Sequence, residues 1–181
     1  MPYFNIVAET SENTVVTEYE PVKKRSDSYQ SEAALEQEFI RLLCEQGYEY
    51  LPVHTERDLV ANLRKKLEEL NKYQFSDTEW EDFFKNTIAN PNEHIVEKTR
   101  TIQEDHVKVL KRDSGETKNI TLIDKTNIHN NRLQVINQYI VGKEDGAKYD
   151  NRYDVTVLVN GLPLVHIELK RRGVAIREAF R

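Results

Sequence analysis

The 181 residues, with a mass of 21.3 kDa, suit one domain that can bury a real core, and a hydrophobic content of 38% with a mean hydropathy of -0.71 describes a chain with a polar surface. No apolar run approaches the ~20 residues of a membrane-crossing helix, residues 1–30 lack the basic start and apolar stretch of a secretory signal, and the single cysteine cannot close an internal disulfide, which fits a reducing cytoplasm. The net charge of -5 excludes a protein that holds nucleic acid by overall positive charge. A role on DNA would then need a local basic patch, or other domains and subunits to do the holding.

In chain order, residues 1–30 read as a polar arm, with Val15–Tyr19 as a short strand inside it. Ser31 is placed to N-cap a helix with Glu32 in its first turn. Leu35, Phe39, Leu42 and Leu43 repeat at the spacing of a buried helical face, and Gly47 suits the C-terminal cap. Cys44, on the same helix, is expected to be a small buried residue. Tyr48–Val53 reads as extended. Leu59, Leu63, Leu67 and Leu70 mark an amphipathic helix over 58–71, and Ser76 through Glu79 begins another, striped by Trp80, Phe83, Phe84 and Ile88. Helical spacing assigns these aromatics to a core rather than to base stacking.

Asn90-Pro91-Asn92 breaks the chain before a charged stretch, 93–118, read as poor in strand. Ile120–Ile123 and Leu133–Val141 carry β-forming residues on either side of the polar loop 125–132. After a further loop, Gly142–Tyr149, comes the most legible segment, 153–170. Val174–Arg181 reads as the start of a helix with no stop signal, so the sequence is expected to be part of something longer.

In Tyr153-Asp154-Val155-Thr156-Val157-Leu158-Val159 the apolar residues favour odd positions, and in Leu162-Pro163-Leu164-Val165-His166-Ile167-Glu168-Leu169-Lys170 they again include Val165, Ile167 and Leu169. Asn160-Gly161 is a hairpin turn signal. For both odd sets to face one core, odd residues must pair with odd, whereas a two-residue turn pairs Val159 with Leu162. A three-residue loop or a bulge near 160–162 is therefore expected. That register sets Asp154 across from Glu168, with Lys170 two residues further along the same face. Two carboxylates side by side repel and require a counter-charge. A divalent cation supplies it: Mg²⁺ uses one or two protein carboxylates, keeps several waters, and takes substrate phosphate oxygens. Lys170 would then orient water or steady the phosphate. The arrangement matches phosphodiester hydrolysis. His129-Asn130-Asn131 has no second metal histidine at a workable spacing. His54, His94, His106 and His166 are scattered, and of these His166 shares its parity with Glu168.

The string from Tyr153-Asp154 through Asn160-Gly161-Leu162-Pro163-Leu164-Val165-His166-Ile167-Glu168-Leu169-Lys170 resembles the nuclease motif of type I restriction enzyme R subunits, within the PD-(D/E)xK nuclease superfamily. Glu36, Phe39, Ile40 and Leu42 leading to Gly47-Tyr48 resemble the family's first helix. Ile123-Asp124, Asn127, Asn130-Asn131 and Asn137-Gln138-Tyr139 resemble the strand before the catalytic hairpin. The resemblance implies that Asp154 and Glu168 bind the metal, that Lys170 is the catalytic lysine, and that Glu36, or else Glu32, assists from the first helix. It also implies that DNA is received by Lys170, Arg171, Arg172, Arg177 and Arg181. The family's Gln-x-x-x-Tyr motif, which follows Glu-x-Lys, is not completed before Arg181.

The expectation is an α/β, restriction-endonuclease-like core with a mixed β-sheet flanked by helices: an arm over 1–30, then a nuclease domain over 31–181 with a helical insertion at about 55–118. By resemblance the function is Mg²⁺-dependent endonuclease cleavage of double-stranded DNA, with Mn²⁺ as a substitute metal. ATP would enter only through motor domains, since no Gly-x-x-x-x-Gly-Lys-[Ser/Thr] phosphate loop occurs here. Methylase and specificity subunits are the implied partners, and the cytoplasm the implied location. A stand-alone nuclease or resolvase of the same superfamily, and a docking module of nuclease fold, are the alternatives.

Overall fold

A computed structural model of the chain describes residues 3–9, 15–20, 31–53, 55–141 and 151–170, and for 3–9, 15–20, 139–141 and 151–153 it describes the backbone alone. The chain divides into two units, Met1–Gln30 and Ser31–Arg181. In the first, β1 (Tyr3–Glu9) pairs antiparallel with β2 (Val15–Glu20). The strand expected at 15–19 is present, with a partner in residues that the sequence alone assigned to an irregular arm.

The second unit begins with α1 (Glu32–Glu45), capped by the Ser31 side chain, which accepts from the Ala34 N–H at 3.1 Å. Its apolar stripe is less buried than its spacing predicts: Leu35, Phe39 and Leu43 are half-buried and Leu42 is exposed, while Glu36 is buried. Cys44 is likewise exposed, contrary to expectation. A short strand, β3 (Glu49–Tyr50), follows, then α2 (Glu56–Asn71) and α3 (Asp77–Phe83), which continues into a π-helical turn over Phe84–Ile88. Ser76 and Glu79 form a reciprocal capping box at the start of α3. Trp80 and Phe83 join Leu63, Leu67, Phe75, Leu110, Ile120, Leu122 and Leu162 in the main core. The aromatics are packing residues, as their helical spacing requires.

The stretch 93–118 is richer in structure than its charge implied. It holds α4 (Ile95–Gln103), β4 (Val107–Lys111) and the start of β5 (Thr117–Thr121), the two strands pairing antiparallel. Val107 and Val109 are exposed while Leu110 is buried, so the apolar side chains of β4 do not mark its inner face. β5 itself overlaps the strand expected at 120–123.

The central sheet is mixed, in the order β3, β6 (Leu133–Val141), β7 (Asn151–Val159), β8 (Leu162–Ile167). β3 runs parallel to β6, and the other two pairings are antiparallel. On β7, Val155 and Thr156 are both buried, as is Leu158, so this inner strand is covered on both faces rather than on its odd face alone. Leu158 packs with Ile136, Val53 and Leu59 of α2.

The hairpin turn joining β7 to β8 is a strict two-residue turn. Val159 pairs with Leu162, and Asn160 and Gly161 have φ of 52° and 83°, positive at both positions as a type I′ turn demands. The expected irregularity exists, but inside β8: Leu158 pairs with Pro163 and Val157 with Val165, leaving Leu164 as the extra residue. A bulge, and a proline, are tolerated here because β8 is the sheet's edge.

The turn is also buried. Asn160 is fully enclosed, accepting from the Arg132 N–H at 2.8 Å and donating to the Leu122 carbonyl at 3.0 Å and the Asn131 side chain at 2.8 Å. A Cβ on Gly161 would lie 2.6 Å from Leu63 Cα in α2, whereas one on Gly115, at φ 85°, would meet nothing within 4 Å. Gly115→Ala is expected to cost about 1 kcal/mol from backbone conformation alone. Gly161→Ala adds a clash with helix backbone and is expected to cost about 3 kcal/mol or more. Urea unfolding of the two variants checks this difference, and equal losses would contradict the close packing of the turn on α2.

Candidate active site

Three strands carry the candidate site. Beyond the bulge, β7 and β8 run Val157↔Val165, Thr156↔His166, Val155↔Ile167, and one rung further the same register sets Asp154 against Glu168. Asp154 lies within β7, while residues 168–170 continue past the end of β8. Their backbone is held by the aspartate: Asp154 Oδ2 accepts from the Leu169 N–H at 2.8 Å. A carboxylate from one strand thereby fixes the Glu168-Leu169-Lys170 segment of the next.

The Lys170 ammonium donates to Glu168 Oε1 at 2.5 Å. This contact raises the lysine's pKa above its usual range against an opposing effect of desolvation, and the charges of Glu168, Glu32 and Asp154 add to the rise. Glu32, in the first turn of α1, is thus close enough for its charge to act on Lys170. Glu32 and Asp154 lie well apart from Glu168 and Lys170 in the sequence, and the fold brings their charges into one electrostatic neighbourhood. His166, which shares its parity with Glu168, is within 3.0 Å of Thr156 Oγ1 through Nδ1, and partial burial lowers its pKa.

Glu36 is buried, and a buried carboxylate needs hydrogen-bond donors. It has two from β6: Asn137 Nδ2 donates to Oε1 at 2.6 Å, and Gln138 Nε2 donates to Oε2. Asn137 Oδ1 in turn accepts from the Tyr50 hydroxyl of β3 at 2.9 Å. Glu36 was singled out from the sequence, but these partners were not assigned a role. The signal for them is two adjacent amide side chains in a strand of mostly β-forming residues. Arg171, Arg172, Arg177 and Arg181 lie outside the described residues, as does His54.

The donor set fits Mg²⁺ or Mn²⁺ rather than a metal that needs an all-protein cage. Asp154 and Glu168 would supply hard oxygen ligands, and one or two carboxylates are what Mg²⁺ takes when substrate and water complete its shell. Among the described residues no group of three or more His, Cys, Asp or Glu side chains gathers as a metal cluster.

A sequence profile described as "Type I restriction enzyme R protein N terminus" matches residues 29–181. The type I restriction enzyme EcoprrI endonuclease subunit of Escherichia coli is 46% identical over 175 residues, which cover 96% of this chain and 55% of that protein. The SsaAORF53P endonuclease subunit of Staphylococcus saprophyticus is 39% identical over 157 residues, covering 84% of this chain and 16% of its own length. The SauMSSORF170P endonuclease subunit of Staphylococcus aureus, at 37% over 155 residues, has the same coverage. The chain therefore spans 55% or less of these curated relatives. The matched profile includes α1, the central sheet and the whole hairpin from Asp154 to Lys170, and the chain belongs to the family of type I restriction enzyme R protein N termini.

Proposed function

We propose that this chain is the DNA-cleaving domain of a type I restriction-modification R subunit, hydrolysing phosphodiester bonds of double-stranded DNA with Mg²⁺. The observation that carries the reading is the register of the hairpin, which sets Asp154 against Glu168 and ties Lys170 to Glu168. The curated relatives are named as endonuclease subunits, which supports the same chemistry. DNA would be brought to the site within a complex with methylase and specificity subunits, and an ATP-driven translocase elsewhere in the R subunit would power its movement. This division of labour accounts for a net charge of -5 on a domain that acts on DNA.

Asp154 and Glu168 would hold the cation. Bound there, Mg²⁺ would supply positive charge against the phosphodiester oxygens and make water more acidic. Asp154 is positioned by the Leu169 N–H, which ties the candidate ligand on β7 to the segment bearing Glu168. Lys170, with its pKa raised, is protonated at neutral pH. It would therefore be available as a charged donor to a phosphate oxygen, where negative charge grows during displacement.

Plasmid cleavage by the restriction complex containing this chain, supplied with Mg²⁺ and ATP, tests the assignment. Asp154→Asn, Glu168→Gln and Lys170→Ala are each expected to lower cleavage by about 100-fold or more while ATP hydrolysis continues. Cleavage that persists in all three would make the domain a docking module, and cleavage by the isolated chain would make it an autonomous nuclease. A second expectation concerns Lys170 itself. Glu168→Gln removes the acceptor charge that raises its pKa, so that pKa should fall towards the ordinary lysine value of about 10.4. The pair's contribution to stability is present below the unfolded lysine's pKa and is lost as pH rises through the raised folded value. NMR titration of the lysine side chain measures the change, and an unchanged pKa would contradict the pairing.

A further inference from the structure

β6 departs from regular strand geometry at one residue. Gln138 has φ 54°, in the left-handed region, and is one of three non-glycine residues with positive φ among those described. The other two lie at a helix C-terminus, Lys72, and in the hairpin turn, Asn160. Left-handed backbone is expected in such places, but not in mid-strand. A non-glycine residue held there is strained and persists only where its surroundings impose it.

In an extended strand, consecutive side chains leave on opposite faces. Asn137 and Gln138 are consecutive, yet both amides donate to the one buried carboxylate of Glu36. The left-handed turn at Gln138 is what lets neighbours on a strand converge. The anchor is braced from two further elements, since Glu36 belongs to α1 and Asn137 is held by Tyr50 of β3.

The location of the kink gives it meaning. β6 and β7 pair Asn137↔Val155 and then Tyr139↔Tyr153, so Gln138 falls opposite Asp154. The same row continues across β7 to Glu168. The mid-strand distortion therefore occupies the rung of the two candidate metal ligands and no other. We propose that Gln138 is a positioning residue of the nuclease site: the Glu36 clamp on its side chain fixes the kinked rung of β6 against which Asp154 presents its carboxylate. This rests on the nuclease reading above, and it assigns Glu36 the task of shaping the site through Gln138.

Calorimetric titration of Mn²⁺ into the chain tests the proposal, with wild type, Asp154→Ala, Gln138→Ala and Gln138→Gly compared well below their unfolding temperatures. Both Gln138 substitutions remove the amide, and both are expected to weaken Mn²⁺ binding by about tenfold, the scale of lost support behind a metal ligand. Gln138→Gly adopts the left-handed backbone without strain, so it folds even where Gln138→Ala does not. A purely structural network would lower the unfolding temperature and leave Mn²⁺ affinity unchanged. That result, with wild type binding and Asp154→Ala not binding, would overturn the role of Gln138 and leave the nuclease reading standing. Failure of the wild type to bind Mn²⁺ would overturn both.

Discussion

The site depends on a single extra residue in an edge strand. A two-residue turn at Asn160-Gly161 pairs Val159 with Leu162, and an unbroken ladder from there would set odd residues against even ones to the end of the hairpin. In that register Asp154 would face Ile167 rather than Glu168. The bulge at Leu164 advances β8 by one residue relative to β7, and from Val157↔Val165 onward the pairing is the one that opposes the two carboxylates. Because side chains alternate with period two, one residue decides whether the carboxylates meet. The register is secured at the turn by the enclosed Asn160 and by the close approach of Gly161 to Leu63 of α2.

Opposed carboxylates then create an electrostatic demand that the rest of the site answers. Lys170 neutralises Glu168 at 2.5 Å, and the Leu169 N–H satisfies one oxygen of Asp154. The same contacts prepare the chemistry. In the proposed function, a lysine kept protonated beside a carboxylate would serve a phosphate as a point charge, and an aspartate hydrogen-bonded to the backbone would have less freedom to lose on binding a cation. Helix α1 contributes twice, through Glu32 whose charge acts on Lys170 and through Glu36 buried against β6. A first helix with only a half-buried apolar stripe is in keeping with an element held partly by polar contacts.

Much of this was legible in the sequence. The period-two pattern, the Asn-Gly turn and the parity of Val155, Val165 and Ile167 required an irregularity in the hairpin and placed Asp154 near Glu168. The helices from Ser31, from about Asp58 and from Ser76 followed from caps and stripes. What escaped notice depends on tertiary context. That the bulge sits at Leu164 rather than beside the turn is not legible, because local propensity does not distinguish one edge-strand position from another. β4 was hidden because Val107 and Val109 point to solvent and Leu110 inward, the reverse of what apolar counting implies. The left-handed backbone at Gln138 has no sequence signature at all, since glutamine is not a residue chosen for such a conformation. Its cause lies about a hundred positions earlier in the chain, in Glu36.

Anomalous scattering from crystals of this chain grown with Mn²⁺ tests whether Asp154 and Glu168 together form a metal centre for phosphodiester hydrolysis. An anomalous peak shared by the two carboxylates is expected, with oxygens at about 2.0–2.3 Å and the remaining positions open to water and phosphate. No peak at Asp154 and Glu168, or a peak bound only by residues elsewhere on the chain, would contradict it.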